Sequence, residues 1–451
     1  MVQNNEKVHS VAREKLISLF DAGTFVELSA YTKRKDGNPE GVCCGYGAIC
    51  GKLSFAFAQD GECVGGAFGD KQARKIGSLY ALAVKNGAPV IGVFDSKGVS
   101  VYDGAEALGA YGRLMKDISS ASGVIPQIAI IDGVCGGASA VAAAMFDFVI
   151  TVKDKSKFFV KAPFVTGTAT DNKKAGHSAY EADGEADAYA FAKELVTMLP
   201  SNNADAICGE CLDDLNRAVS GNTADTAALL SEIADGGRFV RLFKDYSEKM
   251  IFGFASFGGV LTGVVASNSD TDGAIDVKSA RATAKLIGFC DSFSIPVLTI
   301  VDSIGAEVSA EAEASSYAEE LAKVAFAYSS TDNAKVTVVT GKAYGAAFSL
   351  LGSKAVGADM VYALPDAEIS VLSAEASVAF VWNDKVGEKS REELEAEWKK
   401  SVASADRAAE NGEIDDVIDP AELRQRICAA LSMLSVKADG APSRRHVNMP
   451  L

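Results

Sequence analysis

Histidine is scarce in this chain: among 451 residues there are only three, His9, His177 and His446. Tryptophan occurs twice, and positive charge is in deficit, because 44 lysines and arginines face 60 aspartates and glutamates for a formal net charge of −16. Affinity for nucleic acid depends on cations that neutralise phosphates. The charge balance therefore argues against a nucleic-acid partner, and the few histidines leave His177 as the only candidate for a histidine base.

Long apolar runs are also missing. No uninterrupted run approaches the roughly 18 residues of a membrane span, so the chain itself is not expected to cross a bilayer. Met1–Glu6 lacks the apolar core of a secretory leader. Together with the cysteine pattern described next, this predicts a cytoplasmic protein.

The nine cysteines lack the spacing of a disulfide framework, since Cys43 and Cys44 are adjacent. A reduced compartment suits such a chain better than an oxidising one. Cys208 and Cys211 have CxxC spacing, but a four-cysteine zinc site needs a second pair and the sequence contains none. No metal site is predicted.

What the sequence does contain is a repeat. Four blocks of the first half recur in the second half at nearly constant spacing, and each retains its glycines or charged residues. The pairs are Leu19–Val26 with Ile233–Val240, Lys71–Arg74 with Lys278–Arg281, Asp95–Gly98 with Asp302–Gly305, and Gly133–Ser139 with Gly341–Ala347. Two domains of similar size also suit the chain length. We therefore predict an N-terminal domain over 1–225 and a C-terminal domain over 226–451, with one related site in each.

The hydrophobic pattern of each copy predicts an α/β fold. Short apolar strands alternate with segments of helical periodicity, which is typical of a mostly parallel sheet. The predicted elements of the first copy are helices over 70–85, 105–120 and 138–144 and strands over 89–94, 125–132 and 148–152. Residues 171–185 are polar and predict a loop, and 389–411 predicts one charged helix that ends at Gly412.

A glycine turn in each copy, at 136–138 and at 345–347, follows a buried strand and opens an apolar helix. The first N–H groups of a helix are unpaired and lie at its positive end, and small residues let a ligand oxygen approach them. Such a turn can form a backbone oxyanion hole. Close packing of strand against helix explains the same residues equally well, so both interpretations stay open.

Other polar residues near the turns allow further hypotheses. Ser139 follows the first turn and could be a nucleophile with a lysine base, as in a two-copy serine peptidase, although a small residue that starts a helix is the simpler interpretation. Asp95 and Asp302 end strands and are predicted to cap the segments that follow. Neither turn has the spacing of a phosphate-binding loop, so nucleotide hydrolysis is not expected.

Ordered matches to one family run along nearly the whole chain. They include Ala12–Glu27, Phe57–Asp60, Ala121–Gln127, Ile251–Ala255, Phe289–Pro296, Lys342–Gly345, Gly357–Asp359 and Arg444–Leu451. With the repeat blocks, they resemble the carboxyltransferase subunits of biotin-dependent acyl-CoA carboxylases, such as the propionyl-CoA and acetyl-CoA carboxylase beta chains. The same family includes the alpha subunits of sodium-pumping methylmalonyl-CoA and glutaconyl-CoA decarboxylases.

The resemblance implies two tandem crotonase-like domains in a homohexamer, with acyl-CoA on the N-terminal domain and biotin on the C-terminal domain. Active sites would lie between the N-terminal domain of one subunit and the C-terminal domain of another. By position, Gly137 and Ala138 would hold the thioester oxygen, and Ala346 and Ala347, after Gly345, the ureido oxygen of biotin. Substrate-binding roles would fall to Gly65, Gly66, Gly98, Gly136, Ser139 and Tyr344.

The resemblance also implies partners. The sequence has no Met-Lys-Met biotinylation motif, so biotin would arrive on a biotin carboxyl carrier protein. A biotin carboxylase partner would make the complex a carboxylase, and a membrane decarboxylase subunit would make it a decarboxylase. The family pattern Asp-Ser-Gly-Gly-Ala-Arg reads Asp95–Ser100 here, with Lys97 and Ser100 as departures, and 303–307 also departs. A non-catalytic assembly subunit is therefore the remaining alternative.

Overall fold

A computed structural model of the chain describes residues 10–33, 40–161, 167–220 and 222–437. The chain forms two compact units, Met1–Ala206 and Ile207–Leu451. The terminal block Arg444–Leu451, like His9 and His446, lies outside the described residues.

The units divide earlier than the 225/226 boundary inferred from the repeat, because the link between the copies packs on the second unit. The Gly209 N–H donates to the Gly259 carbonyl at 2.7 Å. The fully buried Arg424 donates to the Asp214 carbonyl at 3.1 Å. These bonds make 207–220 part of the second unit.

The first unit alternates strands and helices as the periodicity predicts. Its elements are α1 (Val11–Leu19), β1 (Val26–Leu28), β2 (Val42–Ile49), β3 (Lys52–Gln59), α2 (Asp70–Asn86), β4 (Val90–Ser96), α3 (Ala105–Ala121), β5 (Gln127–Gly136), α4 (Ala138–Ala144), β6 (Phe148–Val152), β7 (Lys157–Phe159), α5 (Ala169–Lys174), β8 (Tyr180–Ala182) and α6 (Glu185–Met198).

The sheet of this unit has the order β1-β2-β3-β4-β5-β6-β8, with β7 paired to β5. Strands β1 to β3 are antiparallel, and pairing is parallel from β3 onward. Cys50 and Gly51 both have positive φ in the tight turn between β2 and β3, the conformation that suits the twist of a two-residue hairpin. The parallel strands place their carboxyl ends, and the turns that follow, at one edge of the sheet.

The core of the first unit lies between this sheet and its helices. Phe94 packs edge to face on Phe57 at 5.5 Å and on Phe146 at 5.4 Å between ring centroids. One face of α2 is buried at helical spacing, including Ile76 and Leu79, and burial of such side chains is the main stabilising contribution.

The second unit repeats this plan. Its elements are α7 (Thr226–Ile233), β9 (Phe239–Leu242), β10 (Met250–Phe257), β11 (Val260–Ser267), α8 (Val277–Ser292), β12 (Val297–Ser303), α9 (Ala310–Glu313), α10 (Tyr317–Ser330), β13 (Lys335–Tyr344), α11 (Ala346–Leu350), β14 (Met360–Ala363), β15 (Glu368–Ser370), α12 (Ala374–Val381), α13 (Arg391–Ser401), α14 (Ala405–Glu410), β16 (Asp416–Val417) and α15 (Leu423–Leu434). The sheet order is β9-β10-β11-β12-β13-β14-β16, with β15 paired to β13. The order matches that of the first unit strand for strand, which confirms the repeat.

Two predicted elements were wrong. The polar stretch 171–185 is not a loop, because Thr168 caps α5 and strand β8 follows. The predicted helix over 389–411 is two helices: α13 is capped by Ser390, and α14 begins anew after Ser404, whose hydroxyl accepts the Arg407 N–H at 3.3 Å. Within the ranges that the structure covers, no helix is long and apolar enough to span a membrane.

Candidate active site

The two glycine turns have the same backbone conformation. Gly137 has φ 62° and ψ −129°, and Gly345 has φ 49° and ψ −113°. Glycine adopts this region readily, whereas a side chain would strain it. Each turn leaves the carboxyl end of the fifth strand of its sheet, β5 or β13, and enters a short helix, α4 or α11.

The amide of each turn glycine is already used. The Gly137 N–H donates to the Phe159 carbonyl of β7 at 3.0 Å, and the Gly345 N–H donates to the Ser370 carbonyl of β15 at 2.9 Å. In this structure β7 therefore takes the Gly137 donor that the sequence analysis assigned to a ligand oxygen, and Ala138 is the member of that predicted pair whose N–H remains available. Gly137 and Gly345 also supply the positive φ on which the conformation of each turn depends.

The next amides are available. In the part of the chain that the structure describes, the N–H groups of Ala138 and Ser139 at the first turn have no hydrogen-bond partner, and the same holds for Ala346 and Ala347 at the second. These N–H groups belong to the first two residues of α4 and α11, which have no acceptor within the helix. Each turn thus presents two adjacent donors where an oxygen could bind, and their use stays a prediction.

The predicted substrate-binding glycines of the first copy lie beside the first turn. A Cβ at Gly66 would overlap the Asp95 carbonyl oxygen, and a Cβ at Gly98 would lie 3.4 Å from the Gly136 carbonyl oxygen. Gly65 accepts the Lys97 N–H at 3.0 Å. The structure therefore brings these glycines together at the carboxyl ends of β4 and β5.

The second copy builds its turn in the same way. Gly273 and Gly305 have φ values of 61° and 119°, close to the 69° of Gly66 and the 119° of Gly98. A Cβ at Gly273 would overlap the Asp302 carbonyl oxygen as closely as one at Gly66 would overlap that of Asp95. The sequence analysis missed Gly273, although the constant spacing of the repeat would have identified it.

The sequence predicted that Asp95 and Asp302 cap the segments that follow them, and this prediction was wrong. Each carboxylate accepts a backbone N–H of the neighbouring strand, from Val134 at 3.1 Å and from Lys342 at 2.8 Å. Both bonds lie where the parallel register shifts between the fourth and fifth strands. The aspartates therefore fix the strand ends that carry the glycine turns.

A buried charge network supports only the first turn. Asp132 is fully buried on β5, and its carboxylate lies 2.9 Å from Lys15 Nζ and 2.5 Å from Lys155 Nζ. The Tyr189 hydroxyl donates to it at 3.2 Å, and burial, with the Asp132 charge, raises the pKa of Tyr189. Lys15 also reaches Asp95 at 3.6 Å. In the second copy, Leu229 and Thr340 occupy the positions of Lys15 and Asp132.

Ser139 does not have the surroundings of a nucleophile. It is fully buried, and its hydroxyl lies 3.6 Å from the Cys135 thiol. Burial raises the pKa of both Cys135 and the neighbouring Tyr111 to about 12, so neither group is a base at neutral pH. His177 is exposed and its ring lies against Phe158 at 6.0 Å. The peptidase hypothesis therefore loses its support.

A cavity of about 680 Å³ opens beside the second turn. Tyr344, Gly345 and Ala346 form one wall, and Ile304 to Ala306 and Val371 to Ala376 form others. The lining is mainly apolar, with Lys342, Glu375, Glu395 and Lys399 as its charged members.

The predicted residue Tyr344 forms part of a polar chain at this cavity. Its hydroxyl donates to Glu368, and Lys399 Nζ lies 2.7 Å from the other oxygen of that carboxylate. Burial, with the Glu368 charge, raises the pKa of Tyr344. Burial also disfavours the charge of Glu368, but hydrogen bonds from Lys399 and Tyr344 outweigh this and lower the pKa of Glu368. Nothing in the sequence pattern pointed to Glu368, because β15 is only three residues long.

Known proteins resemble this chain over nearly its full length. The carboxyl transferase domain family matches residues 3–449. The propionyl-CoA carboxylase beta chain of Saccharopolyspora erythraea is 32% identical, over 100% of this chain and 92% of that protein. The methylmalonyl-CoA decarboxylase subunit alpha of Veillonella parvula is 34% identical, over 99% of this chain and 95% of that protein.

The fold resembles that of a solved carboxyltransferase. The hexameric transcarboxylase 12S, crystallised with methylmalonyl-CoA and methylmalonic acid, superposes with a TM-score of 0.93 at 30% identity, over 98% of this chain and 92% of that chain. This match confirms the predicted α/β fold of two tandem crotonase-like domains. The chain therefore belongs to the carboxyl transferase family, among the carboxyltransferases of biotin-dependent acyl-CoA carboxylases and decarboxylases.

Proposed function

We propose that this chain moves a carboxyl group between biotin on a separate carrier protein and the α carbon of an acyl-CoA. The first glycine turn would bind the thioester and the second would bind biotin. The observation that carries this assignment is the pair of matched turns, each with two adjacent amides that have no partner among the described residues.

At the first turn, the amides of Ala138 and Ser139 would stabilise the oxygen that gains charge when the α proton of the thioester leaves. Preorganised donors of this kind contribute most of the catalysis in many acyl transfers. Positioning of the two substrates contributes the rest. When bound, carboxylated biotin would supply the carboxyl group and, once that group has left, a basic ureido nitrogen, so the chain itself need not provide a histidine base.

At the second turn, the cavity suits a bound biotin ring. The ring system is neutral and largely apolar, and the walls formed by Ile304, Val371 and Leu372 are apolar as well. The amides of Ala346 and Ala347 would donate to the ureido oxygen. Pockets with apolar walls and a few placed donors are typical of cofactor sites.

The family suggests the wider assembly. We propose a homohexamer that works in the cytoplasm with a biotin carboxyl carrier protein. A biotin carboxylase would complete a carboxylase, and a membrane decarboxylase subunit would complete a decarboxylase that runs the transfer in reverse. None of the nine cysteines, all of which lie in the described ranges, forms a disulfide, which suits a reducing compartment.

A mass-spectrometric transfer assay tests this function. Purified protein is incubated with malonyl-CoA, methylmalonyl-CoA or glutaconyl-CoA, each with and without a biotinylated carrier. Biotin-dependent loss of the carboxyl group from one thioester is the expected result. Failure with all three, with carriers from the same genomic neighbourhood, would contradict transfer on these substrates and favour the assembly role.

The role of each turn is tested by removing one N–H group. Ala138 and Ala346 are the first residues of their helices, a position that tolerates proline because its fixed φ fits. Ala138→Pro should lower kcat by roughly a hundredfold or more, and Ala346→Pro should act similarly in the biotin-dependent assay. Ala138→Ser and Ala346→Ser keep the N–H groups and are the matched controls. Proline variants that retain wild-type kcat would refute the assignment.

A further inference from the structure

Lys97 lies in the loop that follows β4, beside the first turn. It is exposed, and within the described ranges it forms no ion pair. Its N–H bonds to the Gly65 carbonyl at 3.0 Å, and its aliphatic stem passes 3.1 Å from where a Gly65 side chain would begin. Its own carbonyl lies 3.3 Å from where a Gly136 side chain would begin. Glycine at 65 thus makes room for the lysine stem.

The repeat shows what this position does in the other copy. Lys97 corresponds to Ile304, because Asp95-Ser-Lys-Gly98 aligns with Asp302-Ser-Ile-Gly305. Ile304 lines the cavity beside the second turn. Lys97 therefore occupies a ligand-facing position of the fold, and the two copies differ there by one full charge.

A cation in this place favours a ligand that carries an anion nearby. Asp95, the carboxylate two residues before Lys97, already contacts Lys15 and the Val134 N–H. The phosphates of coenzyme A are separated from the thioester by the pantetheine arm, which is longer than a lysine side chain. Within the CoA thioester, the anion that Lys97 could reach is therefore a carboxylate of the acyl group.

We propose that Lys97 is a specificity-determining residue that pairs with a carboxylate on the acyl group of the CoA thioester. This inference rests on the proposed binding of the thioester at the first turn. Charge-assisted pairs of this kind strengthen binding of the charged partner. The chain then binds a carboxyacyl-CoA more tightly than the acyl-CoA of the same length that lacks the carboxylate.

The preference has a consequence for the direction of transfer. A carboxylated thioester saturates the first turn at a lower concentration than its decarboxylated product. Removing Lys97 should raise KM for the carboxylated thioester and leave KM for the uncarboxylated one unchanged. An effect on binding alone, with kcat retained, distinguishes recognition from general loss of structure.

Binding of matched thioesters tests the proposal without requiring turnover. Dissociation constants are measured by calorimetry for methylmalonyl-CoA against propionyl-CoA and for succinyl-CoA against butyryl-CoA. We expect the wild type to prefer a carboxylated member by about fivefold to tenfold. Lys97→Ile, which installs the residue of the second copy, should abolish the preference, and Lys97→Arg should retain most of it.

Lys85→Ile is the matched control, because Lys85 is an exposed lysine in the last turn of α2, at the opposite end of β4.

A preference confined to the methylmalonyl pair places the recognised carboxylate on the α carbon, and one confined to the succinyl pair places it at the chain end. An unchanged preference in Lys97→Ile, or none in the wild type, overturns the proposal. Failed transfer with intact preference contradicts only the proposed function.

Discussion

The buried network around Asp132 gives a sharp stability prediction. We consider Lys15→Leu, Asp132→Thr and the double variant, which together install the residues that the second copy has at these positions, Leu229 and Thr340. Leu229 is buried in the core of its unit, and the Thr340 hydroxyl lies 3.4 Å from the Val301 carbonyl. The second copy therefore shows that this fold accommodates uncharged residues at both positions.

The single variant Lys15→Leu should cost the most. It leaves the fully buried Asp132 carboxylate with Lys155 at 2.5 Å and the Tyr189 hydroxyl at 3.2 Å. Breaking a buried ion pair costs about 3–5 kcal/mol. Because Lys155 still pairs with Asp132, we expect a cost at the lower end of this range. We expect the free energy of unfolding of the first unit to fall by about 3 kcal/mol, which lowers its Tm by about 6–12 °C.

The double variant should recover most of this loss. Replacing a whole buried pair by uncharged residues is often neutral, and Lys155 keeps Glu185 as a partner. We expect the double variant within about 1 kcal/mol of the wild type, which corresponds to a coupling energy of about 2 kcal/mol or more. Asp132→Thr alone completes the cycle.

Calorimetry of the intact protein measures these transitions, and hydrogen exchange in β5 and β13 assigns each transition to its unit. Only the transition of the first unit should move, since every group of the network belongs to that unit. A double variant that melts as low as Lys15→Leu would show that the charges do not act as a pair, and the reasoning would fail.

Three further predictions concern the turns and the second cavity. Ser139→Ala should retain carboxyl transfer, since its N–H group remains, and a loss of about a hundredfold or more would show that the hydroxyl rather than the N–H group is needed for transfer. Gly66→Ala should destabilise the first unit by roughly 2–4 kcal/mol, because its Cβ overlaps a carbonyl oxygen of β4, whereas alanine at Gly23, which also has positive φ but open space, should cost less in the same melt. Because the pKa of Glu368 lies below its ordinary 4.5 in the folded state, its charge stabilises the fold above that pH and this contribution is lost as pH falls through the lowered pKa. Tyr344→Phe removes one cause of the lowering, so acid unfolding followed by circular dichroism should begin at a higher pH, and an unchanged onset would contradict this account.

Periodicity and the repeat were enough to predict the core elements of each copy. Helix α4 and strand β6 begin and end where the sequence indicated, and each begins directly after a glycine or an aspartate, Gly137 or Asp147. The glycine turns were also identified, because glycine in such a position reflects a backbone requirement that shows in sequence. These features depend on local chemistry alone.

Contacts between distant segments were not predictable in this way. The short strands β7 and β15 have no readable period, yet their carbonyls take the amides of Gly137 and Gly345. The boundary predicted at 225/226 placed residues 207–220 in the first domain, whereas tertiary bonds such as that from Arg424 to the Asp214 carbonyl join them to the second unit. A sequence pattern does not indicate which backbone carbonyl of a distant segment accepts a given N–H group.

The donors at Ala138 and Ala346 belong to the main chain, and this shapes how mutations would report on the site. A saturation library would find these positions tolerant of small side chains, with proline as the discriminating substitution. Positions 137 and 345 would instead demand glycine because of their dihedral angles. Alanine scanning is blind to such a centre, since alanine already stands there. In a saturation library, such a site would appear as positions that exclude proline or require glycine. A search for essential side chains would miss it.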